Sequence, residues 1–150
     1  MNGLSGELTP CKYILGYTSD ETVMLDLDDV SMATAIYWGK RALRWFDLGG
    51  YLIAESSPGS YHVVFDRRVD WALNMRVVAW VALLSRKERL RQWFLMQCIK
   101  RKSTLRVSRK YELNGVVKPS PHVVYSEGSQ DGENREYLTF RNLILDAPNL

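Results

Sequence analysis

From Thr22 to Asp28 the chain reads TVMLDLD. Val23, Leu25 and Leu27 fall on one parity, and Asp26 and Asp28 on the other. Period-two alternation marks a strand with two unlike faces. The same pattern recurs in ESSPGSYHVVF at 55–65, where a strand over Ser60–Asp66 separates His62 from Tyr61, Val63 and Phe65. Tyr51–Ser56 reads as the strand before it, with Ser57-Pro58-Gly59 as the turn. Between these strands the pattern changes to helical spacing over 31–46. Ile36, Leu43 and Phe46 lie near one face, and Lys40, Arg41 and Arg44 toward another. Asp29 or Ser31 suits its N-cap, and Gly49-Gly50 its end.

Helical spacing returns over Asp70–Leu84 and Arg86–Ile99, one long helix or two broken at Ser85. Trp71, Met75, Val78 and Ala82 are its expected core positions, followed by Trp93, Met96 and Ile99. Ser103–Lys110 alternates again, with Leu105 and Val107 set against Thr104, Arg106, Ser108 and Lys110. A short strand is expected at Tyr13–Tyr17, after a loose lead-in over 1–10. Asn114-Gly115 is a turn signal. Val116–Tyr125 and Glu136–Leu145 are expected as a C-terminal β-hairpin joined by the polar loop SEGSQDGEN.

The main order is β-α-β-β-α-β. This predicts an α+β fold of the RRM-like or ferredoxin-like kind, with helices on one face of the sheet and the extra hairpin appended. A single domain over 1–150 is expected, with about 20–112 as the main unit and 113–150 as an extension. In that topology the first strand lies between the third and fourth. Asp26 and Asp28 would then be central, with His62 on one side and Arg106 on the other.

Composition narrows the setting. The chain of 150 residues is 46% hydrophobic and carries a net charge of only +3. The charge is uneven, however. Residues 86–110 hold ten Lys/Arg and one acid, Glu88, while the first thirty hold Glu7, Asp20, Glu21, Asp26, Asp28 and Asp29 against Lys12. A basic block beside an acid pair suits a polyanion held through a metal, and it also suits a solvated helix face. Cys11 and Cys98 make no zinc spacing with His62 and His122. The opening MNGLSGELTP has no basic start or apolar run, and the longest apolar run is Val77–Leu84. A cytoplasmic protein without a membrane partner is therefore expected. The tryptophans and methionines read as core rather than as a base-stacking platform, with Tyr61 and Tyr111 as the candidates for exposed rings.

Two carboxylates two residues apart on a strand are a common way to hold Mg²⁺ or Mn²⁺. Asp26 and Asp28 are thus the candidate metal ligands and catalytic residues. Asp28 and Asp29 also suit helix capping. His62, Arg106 and Lys110 could grip phosphates, and each also suits an ordinary structural or solvent-facing position.

These segments resemble the palm of archaeo-eukaryotic primases and primase-polymerases over roughly residues 20–112. Asp26-Leu27-Asp28 is similar to that family's DhD motif, and Ser60-Tyr61-His62 to its SxH motif. Thr104-Leu105-Arg106-Val107-Ser108-Arg109-Lys110 is similar to its basic hRhs strand. The resemblance implies a metal-dependent nucleotidyltransferase. Asp26 and Asp28 would hold Mg²⁺ or Mn²⁺. Ser57, Gly59, Ser60, His62, Arg106 and Lys110 would bind a nucleoside triphosphate. Arg86, Lys87, Arg89, Lys100, Arg101 and Lys102 would track DNA or RNA. Active members carry a third acid before the basic strand, where this chain has Met96–Lys102 without one. Asp66, Glu112 and Asp146 are the candidate substitutes within the chain, and a partner subunit or second copy is the alternative source.

Three other readings stand beside this one. The same fold could bind nucleic acid without catalysis, or it could be structural. VMLDLDDV also resembles the first motif of haloacid-dehalogenase-type phosphatases, but no acid pair after residue 70 and no parallel β-β step accompany it.

Overall fold

A computed structural model describes residues 14–129 and 134–146. Its strands are β1 (Gly16–Ser19), β2 (Thr22–Asp28), β3 (Gly50–Ser57), β4 (Ser60–Arg68), β5 (Ser103–Arg106), β6 (Lys110–Tyr111), β7 (Val117–Lys118) and β8 (His122–Gly128). Its helices are α1 (Met32–Phe46), α2 (Trp71–Ser85), α3 (Glu88–Lys100) and α4 (Arg135–Asp146). The expected lead-in at 1–10 and Tyr13 lie outside the described residues, as do 130–133 of the polar loop. No described helix is long and apolar enough to cross a membrane.

The architecture is α+β, with every strand pair antiparallel. The main sheet runs β2-β4-β3-β8. β3 and β4 form a hairpin whose two-residue turn is Pro58-Gly59. Proline presets the first turn position, and Gly59 supplies the positive φ of 80° at the second. β5 lies beside β2, as the topology predicts, but its ladder bonds go to β1. It also stops at Arg106, short of the expected Lys110. Val107 N–H donates to the Leu15 carbonyl at 2.9 Å and Ser108 Oγ accepts from Leu15 N–H, so the chain leaves the ladder there.

α1, α2 and α3 cover one face. Ser31 is the N-cap of α1, its Oγ accepting from Thr34 N–H at 3.1 Å. The helix closes through Asp47 in the left-handed region, ahead of Gly49. It presents Ala35, Trp38, Gly39 and Ala42 to the sheet. Gly39 is required there, because a Cβ would sit 2.7 Å from the Tyr51 ring. Asp70 caps α2, and Asn74 on that helix donates to the carbonyls of Asp20 and Thr22, both at 3.0 Å. The break between α2 and α3 falls at Ser85–Lys87, with Arg86 left-handed.

Three expectations are corrected. Met96 and Ile99, assigned to the core, are exposed on α3. That helix turns Leu90 and Gln97 inward, and the buried Gln97 amide accepts from Thr104 N–H at 3.1 Å while donating to the Trp93 carbonyl. The C-terminal hairpin is absent. Val117–Lys118 pairs back onto β6, His122–Gly128 joins the edge of the main sheet beside β3, and the expected second arm is the helix α4. The helices are also not confined to one face. Tyr137, Phe140 and Ile144 of α4 pack on Met24, Leu52, Ala54 and Val64, on the side opposite the other three helices. That cover stops at Met24, and the next outward positions on the same face are Asp26 and Asp28.

Candidate functional site

Beyond the end of α4 the uncovered part of the sheet forms the floor of a cleft of about 330 Å³. The register decides which side chains meet on it. Asp26 lies directly opposite His62, and Asp28 opposite Ser60, across the β2–β4 ladder. Ser56 and Ser57 extend the floor from the neighbouring strand. One wall is β5, with Thr104, Leu105 and Arg106. The rim carries Arg89 from α3 and Lys110 and Lys118 from the β6–β7 ribbon. The Gly59 carbonyl accepts from Val30 N–H at 3.1 Å, which docks the β3–β4 turn on the end of β2 and fixes the Ser57–Ser60 corner.

Of the residues singled out in the sequence, Asp26, Asp28, Ser57, Ser60, His62, Arg89, Arg106 and Lys110 line this cleft. Gly59 shapes the turn and is not a lining residue. Arg86 and Lys87 sit in the α2–α3 connection, where Lys87 Nζ reaches the Asp29 carbonyl at 3.5 Å. Lys100, Arg101 and Lys102 lie at the other end of α3, about 20 Å from Arg86 and Lys87 along the helix axis, and Lys100 Nζ donates to Oγ1 of Thr104 on the cleft wall at 3.1 Å. The basic block is therefore two separate patches. Lys118, Thr104 and Ser56 were missed. Lys118 had a signal in the Asn114-Gly115 turn, since a hairpin there puts residue 118 opposite residue 110.

The electrostatics of the floor are unusual. A quarter of the Asp26 side chain is exposed, but burial pushes its pKa up to about 7, and the neighbouring Asp28 charge adds to the rise. Arg89 and Arg106 oppose the shift without cancelling it. His62 Nε2 lies 3.6 Å from Asp26 Oδ1, longer than a hydrogen bond. Burial, with help from the Arg106 charge, lowers the His62 pKa to about 3, so the imidazole is neutral. Its buried Nδ1 has no hydrogen-bond partner among the described residues.

The cations are held to different degrees. Arg106 donates to the carbonyls of Ser56 at 2.8 Å, Pro119 at 2.9 Å and Ser108. Three acceptors fix this guanidinium, so it contributes field and shape more than a free fork. Arg89 lies 3.6 Å from Asp28 Oδ2 and 3.6 Å from Asp29 Oδ2. With Ser31 as the cap, Asp28 is not needed for capping and faces Arg89. Lys110 and Lys118 share Glu112, at 3.8 and 3.3 Å.

Asp26 and Asp28 fit a hard divalent cation that takes two carboxylates and completes its shell with water and phosphate oxygens. Among the described residues, no third carboxylate joins them. Glu112 is tied to the two lysines. Asp66 is buried four residues beyond His62, roughly 13 Å along β4. The Asp146 side chain lies outside the described residues. Among the described residues, the acid trio with oxygens within 4.8 Å of one another is elsewhere, at Asp20, Glu21 and Glu136. Its members serve the fold: Glu21 forks onto Arg68 at 2.8 Å, and Glu136 accepts from Ser19 Oγ and from Thr22 Oγ1 at 3.0 Å.

No protein-family model matches the chain, and neither a curated protein nor a solved structure matches it.

Proposed function

We propose that the chain is a palm of the primase-polymerase kind whose cleft binds a nucleoside triphosphate with Mg²⁺ or Mn²⁺. The observation that carries this reading is the register that sets Asp26 against His62 and Asp28 against Ser60, under a rim of Arg89, Lys110 and Lys118. A bound divalent ion would neutralise phosphate charge and polarise the phosphoryl group. The chain's own residues would do the rest. Asp26 and Asp28 would hold the ion, with Asp26 binding it in the ionised form that burial disfavours. Lys110 and Lys118 meet the outer phosphates as mobile point charges. The Ser57 and Ser60 hydroxyls and the neutral His62 offer hydrogen bonds at the corner of the floor. Arg106, fixed by its carbonyls, holds the field in place without rearranging.

Calorimetry of a nucleoside triphosphate with Mn²⁺ tests this reading. Wild type is expected to bind, and Asp26→Asn with Asp28→Asn is expected to weaken binding at least tenfold and abolish its dependence on Mn²⁺. Binding that ignores both metal and carboxylates would overturn the metal-nucleotide site. Primer extension then asks whether binding leads to polymerisation.

The lack of a carboxylate on the β5 wall favours a second reading, in which the same cleft binds without catalysing. Under it, the double variant keeps its affinity for oligonucleotides and wild type extends no primer. The phosphatase reading draws no support from a sheet whose strand pairs are all antiparallel.

A further inference from the structure

The helical layer carries an aromatic cluster that the cleft does not use. Trp45, near the end of α1, is 72% exposed, which is unusual for so large an apolar ring. It is not loose. Its ring stacks on Trp80 of α2, with centroids 6.0 Å apart and planes within 13°. Trp80 is clamped edge-on by Trp38 and by Phe46, at 6.2 and 5.5 Å. One face of Trp45 is therefore covered by a fixed indole, and the other is turned to water.

Cations surround this stack. The Arg41 guanidinium lies 5.7 Å from the Trp80 ring, 5.8 Å from Trp38 and 5.3 Å from Tyr37, and donates to the Tyr37 hydroxyl at 2.6 Å. Arg44 precedes Trp45, and Arg76 lies one turn before Trp80 on α2; both are exposed. Neither α1 nor α2 contains a single Asp or Glu. Asp47, just beyond α1, is engaged by Arg67 at 3.3 Å. The face therefore offers a flat π surface with Arg41 against it and with Arg44 and Arg76 exposed on two helices that carry no acid.

The geometry points to this face as a stacking platform for single-stranded nucleic acid, with Trp45 receiving a base and Arg41, Arg44 and Arg76 receiving the flanking phosphates. Charge selects a polyanion. The shape of the aromatic surface selects bases over a lipid headgroup layer, because the exposed Trp45 lies flat on Trp80 instead of projecting its edge outward. Stacking needs no particular base, since every base has a π face, so binding would be indifferent to sequence. The platform lies across the sheet from the cleft and does not rest on the nucleotide-site reading.

The test is fluorescence anisotropy of a short labelled oligothymidylate, with a blunt duplex and anionic phospholipid vesicles as competitors. Trp45→Ala is expected to weaken single-strand binding about tenfold or more, and Trp45→Phe to restore part of it. The thermal transition should fall only slightly in Trp45→Ala, by the lost stack on Trp80, and the far larger loss of single-strand binding is read at a temperature where the variant is folded. Arg44→Gln with Arg76→Gln is expected to lower the slope of log K against log salt by about 1.4, for two lost phosphate contacts. Asp26→Asn with Asp28→Asn should leave these values unchanged, which separates the platform from the cleft. Single-strand binding indifferent to Trp45→Ala, competition by duplex as strong as by single strand, or displacement by vesicles alone would overturn the proposal.

Discussion

An isolated aspartate is ionised at neutral pH, whereas Asp26 titrates near 7 because burial and the Asp28 charge both oppose its negative form. The folded-state pKa is above that of the unfolded chain, so the fold favours the protonated carboxyl. The resulting stability is full below about pH 4 and is lost as pH rises to 7. Asp26→Asn should therefore stabilise the metal-free protein by about 2 kcal/mol at pH 8 and change little at pH 4. Thermal melts at the two pH values check this; equal shifts at both would show that the carboxylate carries no such burden. His62 works in the opposite direction. Its pKa is depressed to about 3, so its contribution is present above 6.5 and is lost as pH falls toward 3. Strand alternation made the sharing of one face by Asp26 and Asp28 legible in the sequence, and the turn before Ser60 made the opposing strand legible. The Arg89–Asp28 pair and the three carbonyls that hold Arg106 were not legible, because they join residues whose separation says nothing of their approach. Trp45 was misassigned to the core for a related reason. It was read as core from residue type, although Arg41 one turn back and Arg44 beside it mark the polar side of its helix, and only the packing of α2 shows which side of the ring remains open.

Among the elements, α1 approaches the sheet closely enough to need a glycine. In an ordinary helix interior, replacing glycine by alanine gains about 1 kcal/mol. At Gly39 the new methyl would meet two Tyr51 ring atoms at 2.7 and 2.9 Å. The Tyr51 hydroxyl is bonded to Glu127 at 3.1 Å, so the ring does not swing aside freely. Overpacking of this kind costs about 1–3 kcal/mol. Gly39→Ala should thus destabilise by about 1–2 kcal/mol in urea unfolding, against the propensity trend, and a net gain would show that α1 can lift. The α1, β2 and β3–β4 elements were readable because period, cap and turn chemistry agree. α4 was not. Its Tyr, Thr, Phe and Ile content suits a strand, and its helical signature lay in two quieter signs. Asn134 accepts from Glu136 N–H at 3.0 Å as an N-terminal cap, and Tyr137, Phe140 and Ile144 recur at three- and four-residue spacing.

For the molecule as a whole, the sheet carries apolar surface on both sides, and α4 supplies the cover for the second. Phe140 is fully buried there. Phe140→Ala should cost about 3–5 kcal/mol, measured by denaturant unfolding, and a loss below 1 kcal/mol would show that this layer is not part of the cooperative core. The pairing of β2 with β4 was readable from element order, but the expected central place of β2 was not met: it ends the ladder, and β5 beside it bonds to β1 instead. The second layer required knowing that residues after 134 turn back across the sheet. Glu136 reaches Thr22 across 114 positions of sequence. On the ribosome, at about 5–20 residues per second, that separation is a delay on the order of ten seconds. During that interval Met24, Leu52 and Val64 have been synthesised but the helix that shelters them has not. A nascent chain in that window presents a greasy strand pair to solvent or to whatever chaperone waits at the tunnel exit, and translation speed through residues 70–135 sets how long the exposure lasts.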